Sequence, residues 1–248
     1  MEKLKKLFSL ISLILFFLGW QLIVIIKQYP SFIFPSPKEV LFRFISVIQN
    51  GILLYHTKIT LQEIFLGLVL GFSLAFVSGY FLAKSPLGEQ LFSPLIVSFQ
   101  AIPILALAPL LIIWFGSGIT SKIVVCASTL FFPVLINTIM GFKNIDKQLN
   151  ELMFSLKANF FQKLIYLEIP SSLPVLFGGL KIGATLSVIG AVVGEFVGAD
   201  RGLGFLINLA GGLYDTPLRF AAFFTLSLIA LFLYKTIGIL EKKLVIWR

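Results

Sequence analysis

The sequence predicts an all-α, polytopic membrane protein with about six spanning helices, and three observations lead there. Of the 248 residues, 58% are hydrophobic and 12% charged, about half the charge of a soluble domain, and the mean hydropathy is +1.01. The apolar residues fall into six runs, each near the roughly 20 residues a helix needs to cross hydrocarbon. Prolines, glycines and charges collect between those runs. A chain this poor in charge cannot cover itself against water, which excludes an ordinary soluble enzyme, a disordered chain and a nucleic-acid-binding domain. The net charge of +9 follows from the Lys and Arg that membrane proteins gather in their cytoplasmic loops.

The first run, Leu7 to Ile26, follows Lys3, Lys5 and Lys6 and leads into Lys27-Gln28-Tyr29-Pro30. It is longer than the apolar core of a secretory signal, about 7–15 residues, so it is expected to stay as the first span. Phe34-Pro35-Ser36-Pro37 is a stiff turn. Val40, Leu41, Phe44, Ile45 and Ile48 then recur at helical spacing among polar residues, the pattern of an amphipathic helix lying in the membrane interface. The second span is expected over Leu61 to Ala83. The third, Leu91 to Phe115, carries Pro94, Pro103 and Pro109 and is expected to kink. The fourth is Ser121 to Phe142.

Composition then changes. Lys143 to Ser172 holds Lys143, Asp146, Lys147, Glu151, Lys157, Lys163 and Glu168, too polar to span and too long for a turn. Two apolar stripes, Leu149/Leu152/Met153/Leu156 and Phe160/Phe161/Leu164/Ile165/Leu167, predict two short helices in water. The fifth span, Val175 to Val197, is rich in small residues such as Gly179, Gly183, Gly190 and Gly194, which let helix backbones approach closely in lipid. Gly198 to Pro217 is expected to be a glycine-rich connection, and Phe220 to Leu240 the sixth span. With the amino terminus in the cytoplasm, twelve of the 20 Lys and Arg lie on that side and seven on the other, with Lys181 inside the fifth span. Positive charge inside therefore puts both termini and the long polar segment in the cytoplasm.

Within that segment, Glu151-Leu152-Met153, three residues, Lys157, nine residues and Leu167-Glu168-Ile169-Pro170 follow the spacing of a known signature. The segment resembles the EAA loop of bacterial ABC importer permeases, with Leu152 and Met153 for two alanines and Lys157 for the glycine. Glycine suits a sharp turn because it accepts φ > 0, so Lys157 must bear a backbone cost or the turn must differ. Phe34-Pro35-Ser36-Pro37, Ala108-Pro109-Leu110, Trp114-Phe115-Gly116-Ser117-Gly118, Phe131-Phe132-Pro133, Asn137-Thr138 and Gly202-Leu203-Gly204 occur in order. From Phe34 to Arg248 the chain is similar to permeases of nitrate, sulfonate, taurine and pyrimidine-precursor importers.

The resemblance implies a loop, 143–172, whose coupling helices dock on a cytoplasmic ATPase. Residues 1–56 would supply the first span and the interfacial helix, 57–241 the permease core, and 242–248 a cytoplasmic tail. It implies a homodimer in the bacterial or archaeal cytoplasmic (inner) membrane, surrounded by lipid, with an ABC ATPase dimer below and a solute-binding protein above. ATP and Mg would be held by the ATPase, since no GxxxxGK[ST] phosphate loop occurs here; no cofactor, metal or nucleic acid is expected on this chain, nor any catalytic residue. Glu151, Phe154, Lys157, Ala158, Phe160, Phe161 and Pro170 would form the ATPase-coupling surface; Phe154, Phe160 and Phe161 either fill the ATPase groove or pack the loop on its own spans.

Gln100, Asn137 and Glu195 are polar residues in or beside apolar runs, and either line a solute path or serve interhelical bonds. Lys181 sits near the cytoplasmic end and is expected to snorkel. Trp20, Trp114 and Trp247 are placed as aromatic-belt residues. One histidine, His56, and one cysteine, Cys126, give no metal cluster. The implied activity is import of a small polar solute, such as a sulfonate, a nitrate-like anion or a pyrimidine vitamin precursor. The alternative is an ion-coupled secondary transporter or channel, which would need a coupling-ion site or internal repeats.

Overall fold

The computed structural model describes residues 2–245, without the side chains of residues 2–7, 9, 10 and 13. The side chains of Lys3, Lys5 and Lys6 thus lie outside the described residues, as do Trp247 and Arg248. The described chain is helical throughout, with no strand. Helix α1 spans Glu2–Lys27 and α2 Pro37–Gln49. Helix α2 starts where the sequence says it should: Pro37 occupies its first turn, and Ser36 and Glu39 form a reciprocal capping box. Helix α3 spans Ile52–Lys84, α4 Pro86–Gln100, α5 Ile104–Phe115 and α6 Ile119–Lys143. Helices α7 (Lys147–Ser155), α8 (Phe160–Lys163), α9 (Ile169–Gly198), α10 (Leu203–Gly212) and α11 (Thr216–Leu244) follow.

Four helices are long and apolar enough to cross a membrane, and five if α4 and α5 count as one broken span. The 26-residue α1 carries a shorter described apolar stretch, Ile14–Lys27. Three expectations are corrected. The third span does not merely kink: it breaks by 96° between Gln100 and Ile104, because Pro103 cannot donate to the helix and pushes its predecessor out of helical geometry. The second apolar stripe of the polar loop is no separate helix. It runs through a π turn, Leu164–Glu168, into α9, giving one helix over Phe160–Gly198. Pro170 lacks an N–H for the carbonyl four residues back and its ring crowds that carbonyl, which accounts for the widened turn just before it. The expected connection 198–217 folds in its middle into the buried α10.

The core is α6 held between α3 and α9. Both flanking helices present small residues to it. A Cβ on Gly67 of α3 would lie 2.2 Å from Cβ of Cys126, and one on Gly190 of α9 would lie 2.7 Å from Cα of the same residue. Gly67, Gly71, Ala75 and Gly79 form one ridge at four-residue spacing, all buried, the close-approach packing that association in lipid favours. Helices α3, α6 and α11 run one way and α9 the other. The molecule therefore has two polar ends: one with the loop 143–168, the other with α2, α10 and the first turns of α3 and α6.

Trp20 is not a belt residue: it is buried, its Nε1 donates to the carbonyl of Pro35 (2.9 Å), and Phe34, Phe220 and Phe224 surround it. It pins α1 to the turn before α2 and to α11. Trp114 is exposed. Lys181 is paired with Glu241 of α11.

Candidate functional site

The polar loop folds as a capped helix-turn-helix. Asp146 caps α7 by accepting from the N–H of Gln148 (2.8 Å), and Asn159 caps α8 in a reciprocal box with Gln162. Between them Lys157 has φ +51. The N–H of Ala158 donates to the carbonyl of Met153 (3.0 Å) and that of Lys157 to the carbonyl of Phe154 (2.9 Å), so the end of α7 closes as a Schellman-type turn. The left-handed residue there is normally glycine, and here a lysine bears the strain.

This turn displays the apolar residues outward. Phe154 is 86% exposed, Phe161 69% and Phe160 60%. Leu152, Leu156, Ile165 and Tyr166 are exposed beside them. Glu151 is exposed on α7, Ala158 half-buried in the turn and Pro170 half-buried at the start of α9. Among the described residues no side chain hydrogen-bonds Glu151. A contiguous exposed apolar patch on a polar loop marks a contact surface.

The opposite end holds a buried polar node that sequence reasoning saw only in part. Glu195 of α9 is 1% exposed. Its Oε1 accepts from Thr60 Oγ1 of α3 (2.6 Å) and its Oε2 from the N–H of Gly204. Thr60 Oγ1 accepts in turn from the N–H of Leu203 (2.8 Å), and His56 Nδ1 accepts from the N–H of Gly202 (2.9 Å). The start of α10 is thus fastened to α3 and α9 through the backbone of Gly202-Leu203-Gly204. That segment needs glycine on contact grounds: a Cβ on Gly202 would stand 2.2 Å from the Glu195 carboxylate, and one on Gly204 2.8 Å from it.

Glu63 of α3, 3% exposed, faces Glu195, and its Oε2 has no hydrogen-bond partner. Lys122 of α6, also buried, donates to the carbonyls of Ser117 and of Gly198 (2.7 Å). Glu63, Lys122, Gln62, Asp200 and Arg201 line a cavity of about 600 Å³ at this end. At its rim Asp200 and Arg201 pair at 2.9 Å; the guanidinium holds the Asp200 carboxyl below its ordinary range, and the carboxylate holds Arg201 above its own.

The structure therefore separates the three polar residues singled out from sequence. Glu195 sits behind the cavity wall rather than in it. Gln100 lies at the α4–α5 break and lines a second cavity of about 350 Å³ with Pro103, Ser128 and Thr129. Asn137 donates back to the carbonyl of Pro133 (2.8 Å) within α6 and packs where Gly179 leaves room. Sequence reasoning missed Glu63, Thr60, His56 and Lys122. The available signal was Glu63 itself, a carboxylate inside an apolar run, where a charge is costly.

Comparison with known proteins adds a second kind of observation. The sequence profile described as "Binding-protein-dependent transport system inner membrane component" matches residues 67–245. The chain is 46% identical over 237 residues to the riboflavin transport system permease protein RibX of Chloroflexus aurantiacus, covering 96% of this chain and 88% of that one. It is 36% identical over 217 residues to the formylaminopyrimidine transport permease protein ThiX of Halalkalibacterium halodurans, covering 88% and 86%. In fold it is similar to a chain of the inward-facing MetNI methionine ABC transporter, with a TM-score of 0.67, 19% identity, and coverage of 75% of this chain and 93% of that one.

Proposed function

The chain belongs to the family of binding-protein-dependent transport system inner membrane components, and from that premise we propose that it is the permease subunit of an ATP-driven importer. It would form half of a homodimeric path in the cytoplasmic membrane. An ABC ATPase dimer would bind the loop at the cytoplasmic end, with both termini on that side, and a solute-binding protein would deliver at the other. The observation that carries this reading is the capped helix-turn-helix of α7 and α8, which holds Glu151, Phe154, Phe160 and Phe161 exposed on a polar loop. Such a surface is an unfinished interface.

ATP and Mg belong to the ATPase in this scheme, and the permease contributes no catalytic residue. Binding energy of the nucleotide-loaded ATPase can shift the spans only by its different affinity for their two arrangements. The node of Glu195, Thr60 and the start of α10 would hold the outer end shut in one of them. Gln100, at the broken span, is the stronger of the remaining candidates for contact with solute; Asn137 bonds inward. For solute we infer a heteroaromatic vitamin or vitamin precursor, of the flavin or pyrimidine kind, in preference to a sulfonate. The names of the relatives at 46% and 36% identity support that preference.

The test begins with gentle purification of the chain from its native membrane and mass spectrometry of its companions. An ATPase and a binding protein should co-purify, and solute carried by the latter should be heteroaromatic. Glu151→Lys should leave the chain inserted and lower the amount of ATPase retained. A stable complex with no ATPase, or uptake that collapses with the proton gradient while ATP hydrolysis continues, would point to a secondary transporter instead.

A further inference from the structure

The docking loop is continuous in chain with α6 on one side and α9 on the other, but α3 lies far from it in sequence. Beyond its packing on α6, two contacts at the loop end tie α3 to the loop and the head of α9. One is an aromatic and aliphatic cluster in which Phe76 and Tyr80 of α3 pack with Phe142, Leu167 and Met153 of α7; the Tyr80 and Phe142 rings meet edge to face at 4.9 Å. The other is a carboxylate. Glu168, 2% exposed, accepts from Tyr80 Oη (3.1 Å) and Lys84 Nζ of α3, and Lys163 Nζ of α8 stands 3.7 Å from it.

This geometry has a local cause. Tyr80 and Lys84 are four residues apart and share one face of α3. Lys163 and Glu168 are five residues apart, the spacing a π turn brings together, and the π turn Leu164–Glu168 lies between them. The same turn changes the helix register, so that Phe160, Phe161, Ile165 and Tyr166 face outward while Leu167 and Glu168 face in. One side chain is therefore bonded at once to the displayed helix and to the span that the loop cannot reach through the chain. Both lysines are more than a third exposed on their side chains, so their cost of placement is small while the acid they hold is buried.

We propose that Glu168 is the positioning residue that carries displacement of the docking loop to α3, by clasping Tyr80 and Lys84 from the π turn at the head of α9. The proposal rests on the reading above that the loop receives an ATPase. Loss of the clasp leaves α7 and α8 folded by their own caps and able to dock, but weakens the tie between their movement and α3.

The experiment uses the complex as isolated from membranes, with a single nitroxide label placed either at Gln148 on exposed α7 or at Phe81 on α3. Cys126, the one native cysteine, is buried, so introduced cysteines take the label. In the wild-type background the Gln148 label should be immobilised by the ATPase, and the Phe81 label should change its spectrum on trapping with Mg-ATP and vanadate. In Glu168→Gln the Gln148 response should persist while the nucleotide-dependent shift at Phe81 weakens about tenfold, within the range seen for residues that couple distant sites. Lys84→Gln, a change at a partly exposed position that leaves Glu168 in place, should act in the same direction. Glu168→Asp should restore part of the shift. A full Phe81 response in both variants, or loss of the Gln148 response together with that at Phe81, overturns the clasp. Absence of any ATPase from the wild-type complex overturns the importer reading itself.

Discussion

Two single positions concentrate the chemistry of this chain. Lys157 holds φ +51 in a turn where a side chain costs about 1–2 kcal/mol. Lys157→Gly should therefore raise loop stability by about 1 kcal/mol, seen as slower hydrogen exchange in 152–160, with docking retained. Slower docking in that variant would instead make the lysine a contact residue. Thr60 is the second position, since one hydroxyl both donates to Glu195 and accepts from Leu203. Thr60→Val keeps the shape and removes both bonds, leaving a buried carboxylate short of a donor, which costs about 1–3 kcal/mol. Thermal unfolding in detergent should fall accordingly, and the cavity end should loosen first. The unpartnered Oε2 of Glu63 faces the same node, so Glu63→Gln, which adds a donor beside Glu195, should cost less than Glu195→Gln.

Helices were legible from sequence to the degree that one rule decided each of them. The places of the long spans and the α2 amphipathic helix follow from hydropathy period and from the Pro-Ser-Pro turn with its cap, although α3 starts at Ile52, nine residues before the expected Leu61. What was not legible depends on neighbours. The 96° break between α4 and α5 and a kink look alike in a proline-rich run. The burial of α10 comes from backbone bonds to Glu195, Thr60 and His56, three residues from 9 to 146 positions away. Likewise the small residues of the fifth span were visible, but the ridge of Gly67, Gly71 and Gly79 on α3 was hidden in a plain apolar run. The displayed surface of Glu151, Phe154, Phe160 and Phe161 rested on a resemblance, and the structure placed the side chains outward; of the buried node only Glu195 and Gly202-Leu203-Gly204 stood out in the sequence, and Thr60, His56 and Glu63 belonged to no motif. A matched pair tests the ridge. Gly67→Ala and Gly178→Ala both gain about 1 kcal/mol of helix propensity. A Cβ at Gly178 meets nothing within 4 Å, and one at Gly67 meets Cys126 at 2.2 Å. Gly178→Ala should be neutral or stabilising, whereas Gly67→Ala should destabilise by about 1–3 kcal/mol; equal effects would mean α3 and α6 can slide apart without loss.

At the scale of the whole molecule, two polar ends are joined by three closely packed helices that share glycine contacts and bear few polar side chains between. Movement at one end can reach the other with little slack, because packed interfaces switch between arrangements rather than deform. The ends differ in what they expose. The loop end shows aromatic rings, while the far end buries Glu195 beneath the start of α10 and Glu63 beside it. Burial of one Phe side chain is worth about 1.5–3 kcal/mol, so Phe154→Ser should weaken retention of an ATPase by about tenfold or more. Leu213→Ser, at an exposed apolar residue of the far end, should leave it unchanged. Titration in salt separates the two forces at the loop. A contribution from Glu151 is screened over a Debye length of about 10 Å at 0.1 M and about 3 Å at 1 M, whereas ring burial survives or strengthens. Retention that persists in high salt in the wild type but vanishes in Phe154→Ser would assign the grip to the rings. Retention lost in salt with Phe154 intact would assign it to Glu151 and make the aromatic patch a surface for some other contact.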